Sequence, residues 1–380
     1  MGNIISYLRW RGDLLWSEAP FNEVDNLILA YLSYFDFDGI VSETEENPVS
    51  LMCAAENFFS EHRESKSPAD PDLLKKAAAS KRYGDVMLWG YRDIMDRNQE
   101  MTQFAALHFV LEDGNEYISF RGTDNTIVGW RESFRLGFEV VPAQKRAAGY
   151  LEETICKDGT VRYRIGGHSK GGNLAVYGAM MCSEGAKEQI DAIYMNDSPG
   201  LCPAMIDEEK YQDIQGRIIK IVPEFSIIGM LFGCSNPVNG TEQTVAMNSG
   251  LIVKSSADGI LQHDAFSWQI EGNHFATAQQ LAEKARIYNG IFDRWIESTD
   301  FEERELFVRN FFDALEAGGA RTTSELAKSD AGGFEAILFA MVSAEKNSKK
   351  VVGKLIYSFW EERKAINYPK RVTVQDGSSS

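Results

Sequence analysis

Gly167-His168-Ser169-Lys170-Gly171 has the G-x-S-x-G spacing of a nucleophile elbow. A serine hydroxyl attacks a carbonyl only when it is lifted clear of its backbone and paired with a base. A sharp strand-to-helix turn lifts it, at the cost of a strained conformation that side chains two residues to either side would obstruct. The same turn sets the hydroxyl at the positive end of the following helix, where developing negative charge is favoured. The bare pattern arises by chance in roughly one chain in ten of this length, so its flanks carry the argument. Tyr163-Arg164-Ile165 before it is strand-like, and Leu174, Ala175, Val176, Ala179 and Met180 follow at helical spacing. The bland alternative for Ser169 is a helix cap.

Such a serine needs a base, an acid that orients the base, and donors for an oxyanion, in the chain order serine, acid, histidine. Beyond the adjacent His168, which the elbow should turn away from the nucleophile, only His263 and His274 follow Ser169. His263 lies after an apolar strand and the Gly259 turn and is expected at the end of a sheet; His274 reads as a cap or surface residue opening a C-terminal helix. Two loops at strand ends offer an acid, Asp197 in Asn-Asp-Ser-Pro-Gly and Glu224 in Val-Pro-Glu-Phe-Ser. The acid usually leaves the second strand beyond the nucleophile, which selects Glu224. Asp197 stays open as the alternative, against its reading as a turn former. For the oxyanion, the elbow offers the N–H of Lys170, and the Arg121-Gly122-Thr123-Asp124 loop offers Thr123. Ile227, Ile228, Met230 and Leu231 follow Glu224 and are candidates for an acyl pocket or lid, with ordinary core as the equal alternative.

The elements that must position these groups are legible in outline. Val24, Leu27, Ile28, Tyr31, Leu32 and Phe35 form one apolar face of a helix expected over 21–37, capped by Asn22. Asp70-Pro71 opens a second helix to about Lys81. Strands are expected over 103–111 and 116–120 around the Glu112-Asp113-Gly114-Asn115 turn, with His108 as a core residue. A helix over 142–155, strands over 161–166, 192–196 and 217–222, and one or two more strands over 243–254 complete an alternation that predicts a largely parallel sheet covered on both faces. Beyond about His274 the pattern is helical to about Ile366, and residues 367–380 read as a disordered tail. The division predicted is residues 1–275 as the catalytic domain and 276–366 as a helical extension.

The chain has 380 residues, 44% of them apolar, and a net charge of −17 spread along its length. That size suits one large domain with an appendage or two domains. An acidic surface argues against nucleic acid as a partner. Five scattered cysteines without a C-x-x-C pair read as buried thiols of a reducing compartment. No hydrophobic segment of signal or membrane-spanning type is visible, so a cytoplasmic location is expected, with only transient membrane contact open. Met1 to Ser6 fits the N-myristoylation pattern, which is too short to decide anything alone. Metal and nucleotide motifs are absent, so neither metal nor cofactor is expected.

Ile118 to Asp124 with Trp130 beyond, joined to Gly-His-Ser-Lys-Gly-Gly, resembles the fungal-type (class three) lipases. Trp10-Arg11-Gly12-Asp13, Pro20 to Asp25, Pro223 to Gly229 and Gln262 to Trp268 resemble more closely the Mbeg-like family of lipase-like bacterial proteins. The resemblance spans about residues 7–270. It implies an α/β-hydrolase fold with Ser169 and His263 in the triad; class three lipases carry aspartate where Glu224 stands. The function expected is cleavage of carboxylic esters, small acyl esters or lipids. An acyltransferase or thioesterase would use the same site, and a catalytically silent binding or signalling scaffold is the rival from another class.

Overall fold

The computed structural model describes residues 1–309 except 67, 98, 99, 125, 203, 204, 232–249 and 307. Its frame is an eight-stranded sheet whose strands lie side by side in chain order: β1 (Val49–Ser50), β2 (Met87–Asp96), β3 (Thr102–Val110), β4 (Glu116–Phe120), β5 (Tyr163–His168), β6 (Ile190–Asn196), β7 (Ile218–Pro223) and β8 (Leu251–Val253). The pairs from β1 to β4 are antiparallel, and the four from β4 to β8 are parallel. Short turns join β2 to β3 and β3 to β4, while residues 51–86 separate β1 from β2. The parallel half needs crossovers, and helices provide them. A small ribbon of β9 (Ile270–Glu271) and β10 (His274–Phe275) forms a second sheet, and the residues after it bridge to β8.

The strand side chains alternate between two cores, as the period of two requires. Leu107, Phe109, Tyr117 and Tyr194 face one core with α1 (Ile4–Arg11), α2 (Glu23–Leu32), α3 (Leu51–Ser60) and α4 (Pro71–Ala78). Ala106, Ile118, Phe120, Ile165, Ile193 and Met195 face the other. Behind α5 (Ile127–Arg135), that second core is closed by α6 (Pro142–Thr154), α7 (Lys170–Met181), the short α8 (Glu184–Glu188) and α9 (Glu208–Gln215). Buried apolar strands with helices on both sides make this an α/β fold with a mostly parallel sheet.

The helix expected over 21–37 stops at Leu32, and nine of its ten residues are buried, so α2 is enclosed on every side. Its Asn22 and Asp25 form a reciprocal capping box. Asp25 also receives both guanidinium arms of Arg82, at 2.8 and 2.6 Å, and the Tyr83 hydroxyl at 2.5 Å. Strands β1 and β2 were not legible, because β2 carries Gly90, Arg92 and Asp93 where a buried strand would show an unbroken apolar run. The expectation of strand over 243–254 is met by β8 alone; 243–249 lie outside the described residues. His274 sits in β10, exposed, and opens no helix; α10 (Glu283–Ser298) begins nine residues later. Two of the free thiols, Cys53 and Cys156, are exposed, contrary to the expectation of burial, while Cys182 and Cys202 are buried and Cys234 lies outside the described residues. Gly2 has a structural use: its N–H and C=O bridge to Ile270, and a Cβ there would stand 2.3 Å from the Trp10 ring. The described part of the predicted extension touches the preceding chain: Asn289 donates to the Ser226 carbonyl at 3.2 Å, and the Phe301 ring meets that of Phe138 edge to face. Its remaining helices and the tail lie outside the described residues.

Candidate active site

Ser169 follows the last residue of β5 and precedes α7, in a backbone conformation of φ 55° and ψ −130° that side-chain-bearing residues rarely adopt. The strain is sustained by close packing. A Cβ on Gly167 would lie 2.3 Å from the Phe120 carbonyl oxygen, and one on Gly171 2.0 Å from the same atom. The Ser169 N–H bonds Asn196 O at 2.9 Å, and its carbonyl accepts the Ser198 hydroxyl at 2.5 Å. So held, Ser169 Oγ stands 3.1 Å from His263 Nε2, and His263 Nδ1 stands 2.6 Å from Asp197 Oδ2.

The carboxylate at the imidazole is therefore Asp197, and the preference for Glu224 does not survive the geometry. Glu224 leaves β7, one strand further from Ser169, and its hydrogen bonds to Val253 and Ala282 run through its backbone. Asp197 leaves β6, the immediate neighbour of β5, in a left-handed conformation at φ 42° that swings its carboxylate toward the serine. The loop after β7 acts on it from outside: Ser226 Oγ at 2.5 Å and the Gly229 N–H at 3.1 Å both donate to Asp197 Oδ1. This leaves Oδ2 for the histidine. A Cβ on Gly229 would lie 2.3 Å from Oδ1, so only glycine can bring its amide there. The four apolar candidates Ile227, Ile228, Met230 and Leu231 ride on this loop half-buried.

His263 ends a tight turn, Gly259–His263, opened by Gly259 at φ 56°. The preceding Gln262 is buried and accepts the Phe225 N–H at 2.8 Å, and its carbonyl receives the indole N–H of fully buried Trp268 at 2.8 Å. Ala265 N–H donates to Tyr31 Oη on α2 at 2.8 Å. Gln262, Ala265 and Trp268 thus hold the turn that carries the imidazole.

The Gly122-Thr123 loop after β4 lies against the elbow, since a Cβ on Gly122 would be 3.2 Å from Ser169 Cβ. Asp124 braces it by accepting the Thr126 N–H at 2.8 Å, as expected of a turn-forming aspartate. Lys170, first residue of α7, has the helix-start N–H that lacks an intrahelical partner. Its side chain was not anticipated: the buried ammonium donates to Glu132 Oε2 at 2.8 Å and Gln103 O at 2.6 Å, tying the elbow to α5. Arg121 is pinned from below by both oxygens of Asp93, each at 2.7 Å. Burial raises the Asp93 carboxyl, but Arg121 and Lys66 outweigh it and bring its pKa to about 2. Among the described residues no cluster of three His, Cys, Asp or Glu side chains is placed to hold a metal ion.

The family model for Mbeg1-like proteins matches residues 77–313, more than half of the chain. The chain belongs to the Mbeg1-like family. Among solved structures, this Mbeg1-like chain is similar to the M37 lipase at 16% identity and a TM-score of 0.37, over 55% of this chain and 70% of the other. No curated protein matches it. The Mbeg1-like match starts at the last two residues of α4, so it covers Ser169, Asp197 and His263 but not Tyr31 on α2, which bonds the His263 loop, or Tyr34 just beyond that helix, which packs against the Gly122 loop. Those tyrosines, with His168, Glu132 and Ser226, are the site residues that sequence reading missed. No local pattern marks them, because each acts across the fold.

Proposed function

We propose that this chain is a serine hydrolase that cleaves carboxylic esters through an acyl-enzyme on Ser169. The observation that carries the proposal is the continuous Ser169–His263–Asp197 contact, 3.1 and 2.6 Å, on a strained elbow. Ser169 Oγ attacks the acyl carbon as its proton passes to His263 Nε2. The Nδ1–H stays on His263 and donates to Asp197, whose charge stabilises the imidazolium. Negative charge on the carbonyl oxygen is met by the amides of Lys170 and Thr123. Collapse expels the alcohol, which takes the proton from Nε2, and water then repeats the cycle on the acyl group. Half-buried Ile227, Ile228, Met230 and Leu231, with Leu261 exposed two residues before the base, favour an apolar acyl chain, from medium-chain esters to lipids. Among the described residues no helix is long and apolar enough to cross a membrane.

The test is fluorophosphonate labelling of the purified chain with p-nitrophenyl ester turnover beside it. Labelling and turnover are expected in the wild type and lost in Ser169→Ala. His263→Ala should cost a thousandfold or more in kcat/KM, and His274→Ala little. Equal labelling of wild type and Ser169→Ala would overturn the proposal, and an unreactive wild type would return the chain to a binding role.

A further inference from the structure

We infer that His168 is a positioning residue that ties the loop of the base to the loop of the oxyanion donors through Tyr34. The inference rests on the reading of Ser169, His263 and Asp197 as a triad.

His168 is 2% exposed, beside the nucleophile on β5. Its Nε2 lies 2.8 Å from the carbonyl oxygen of His263. A carbonyl brings no proton, so Nε2 must carry it. In the neutral ring Nδ1 is then an acceptor, and the Tyr34 hydroxyl stands 3.3 Å away to donate. The Tyr34 oxygen in turn packs directly against Gly122, where a Cβ would sit 2.2 Å from it. The result is one continuous tie: Gly122 packs on the Tyr34 oxygen, the Tyr34 O–H donates to His168 Nδ1, and His168 Nε2–H donates to the His263 carbonyl.

The surroundings favour the neutral ring. The Tyr31 ring is 4.9 Å away and the His263 ring 4.6 Å. Asp264 and Asp197 lie beyond Tyr31, and Arg121 and Asp124 beyond Tyr34. Burial first, and the neighbouring His263 second, hold the His168 pKa well below the ordinary histidine value. The consequence for catalysis is geometric. His263 closes a short turn, and its ring must stay within hydrogen-bond reach of both Ser169 and Asp197. A displacement near 1 Å costs about a hundredfold.

The experiment uses the full chain. His168→Ala should lower kcat for a p-nitrophenyl ester about a hundredfold with KM nearly unchanged. His168→Gln, which can still donate to the carbonyl, should recover most of that loss, and Tyr34→Phe should fall between. A loss in KM instead of kcat, or His168→Ala at the wild-type rate, overturns the inference. Nitrogen NMR of histidine-labelled wild type reads the relay without any turnover: the His168 proton is expected on Nε2, with no titration between pH 8 and 5.5. A proton on Nδ1, or an ordinary histidine titration, overturns the inference even if the enzyme is active. If the wild type hydrolyses no ester, the triad reading fails, and the tautomer alone decides whether the relay exists. Should His168→Ala not fold, the glutamine and phenylalanine variants and the tautomer still decide.

Discussion

At the scale of the residue, Asp197 is the position on which the proposed chemistry turns. Its two oxygens are divided: Oδ1 is occupied by Ser226 and Gly229, and Oδ2 faces His263. Such a carboxylate orients the ring and selects its tautomer, and the amide of the same shape does neither. Asp197→Asn is therefore expected to cost about four orders of magnitude in kcat with the fold retained. Glu224→Gln should leave kcat within a fewfold, because Glu224 is held through its backbone. Parallel kinetics of the two variants check this; a silent Glu224→Gln beside an active Asp197→Asn would reverse the assignment. Ser226→Ala belongs with them. It strips one donor from Oδ1 and should cost a smaller factor, about tenfold.

At the scale of the element, the site depends on how β2 and β4 are tied together beneath the Gly122 loop. Arg121 at the end of β4 is buried, and Asp93 on β2 grips it with both oxygens. The carboxyl has a folded pKa near 2, lowered from the ordinary value of 3.8. A depressed carboxyl adds stability that is fully present above pH 4 and is lost as pH falls from about 4 toward 2; the shift corresponds to about 2 kcal/mol. Asp93→Asn removes this contribution and leaves a buried guanidinium without its anion, which costs a few kcal/mol at neutral pH. Denaturant unfolding at a series of pH values should show the variant's deficit shrinking below pH 4. A deficit independent of pH would mean that the ion pair is not its source. The buried Lys170–Glu132 pair plays the matching part between α7 and α5, with Thr102 and the Gln103 and Ala143 amides also bonded to Glu132.

At the scale of the whole molecule, the first core is closed by α1 to α4, nearly all of which precede residue 77, where the family match begins. Asp25 and Arg82 hold that cap together. Both side chains are fully buried; Arg82 also donates to Ala19 O at 2.8 Å and lies 3.9 Å over the Trp16 ring. Arg82→Met would strand the Asp25 charge, an expected loss of about 3–5 kcal/mol, whereas the double change Arg82→Met with Asp25→Leu should recover part of it. Thermal unfolding of the three variants measures this, and a double variant no better than the single one would count against the pair as the cause. The C-terminal side reaches the site as well: Asn289 on α10 donates to the Ser226 carbonyl at 3.2 Å, so a helix outside the sheet domain steadies a residue that steadies Asp197. Cutting the chain at residue 275 is accordingly not neutral for the site.

What the sequence determined by itself was local. The elbow, its glycines, the alternating strands and the Gly-Thr-Asp loop announce themselves because strain, periodicity and turn chemistry act between residues a few positions apart. His263 was legible for the same reason, as a histidine in a loop that follows an apolar strand and a glycine turn. The acid was not. Asp197 and Glu224 both end strands in suitable loops, and the choice fell to the left-handed turn at Asp197 and to two donors arriving from residues 226 and 229. The rule of counting strands failed because β6 already lies beside the elbow strand, so its loop reaches the imidazole while the loop of β7 passes outside it. Tyr34, His168 and Lys170 were hidden likewise: a buried polar group is defined by the partner that satisfies it, and those partners come from the turn after α2, the His263 loop and α5. Only the folded chain brings them within hydrogen-bond distance.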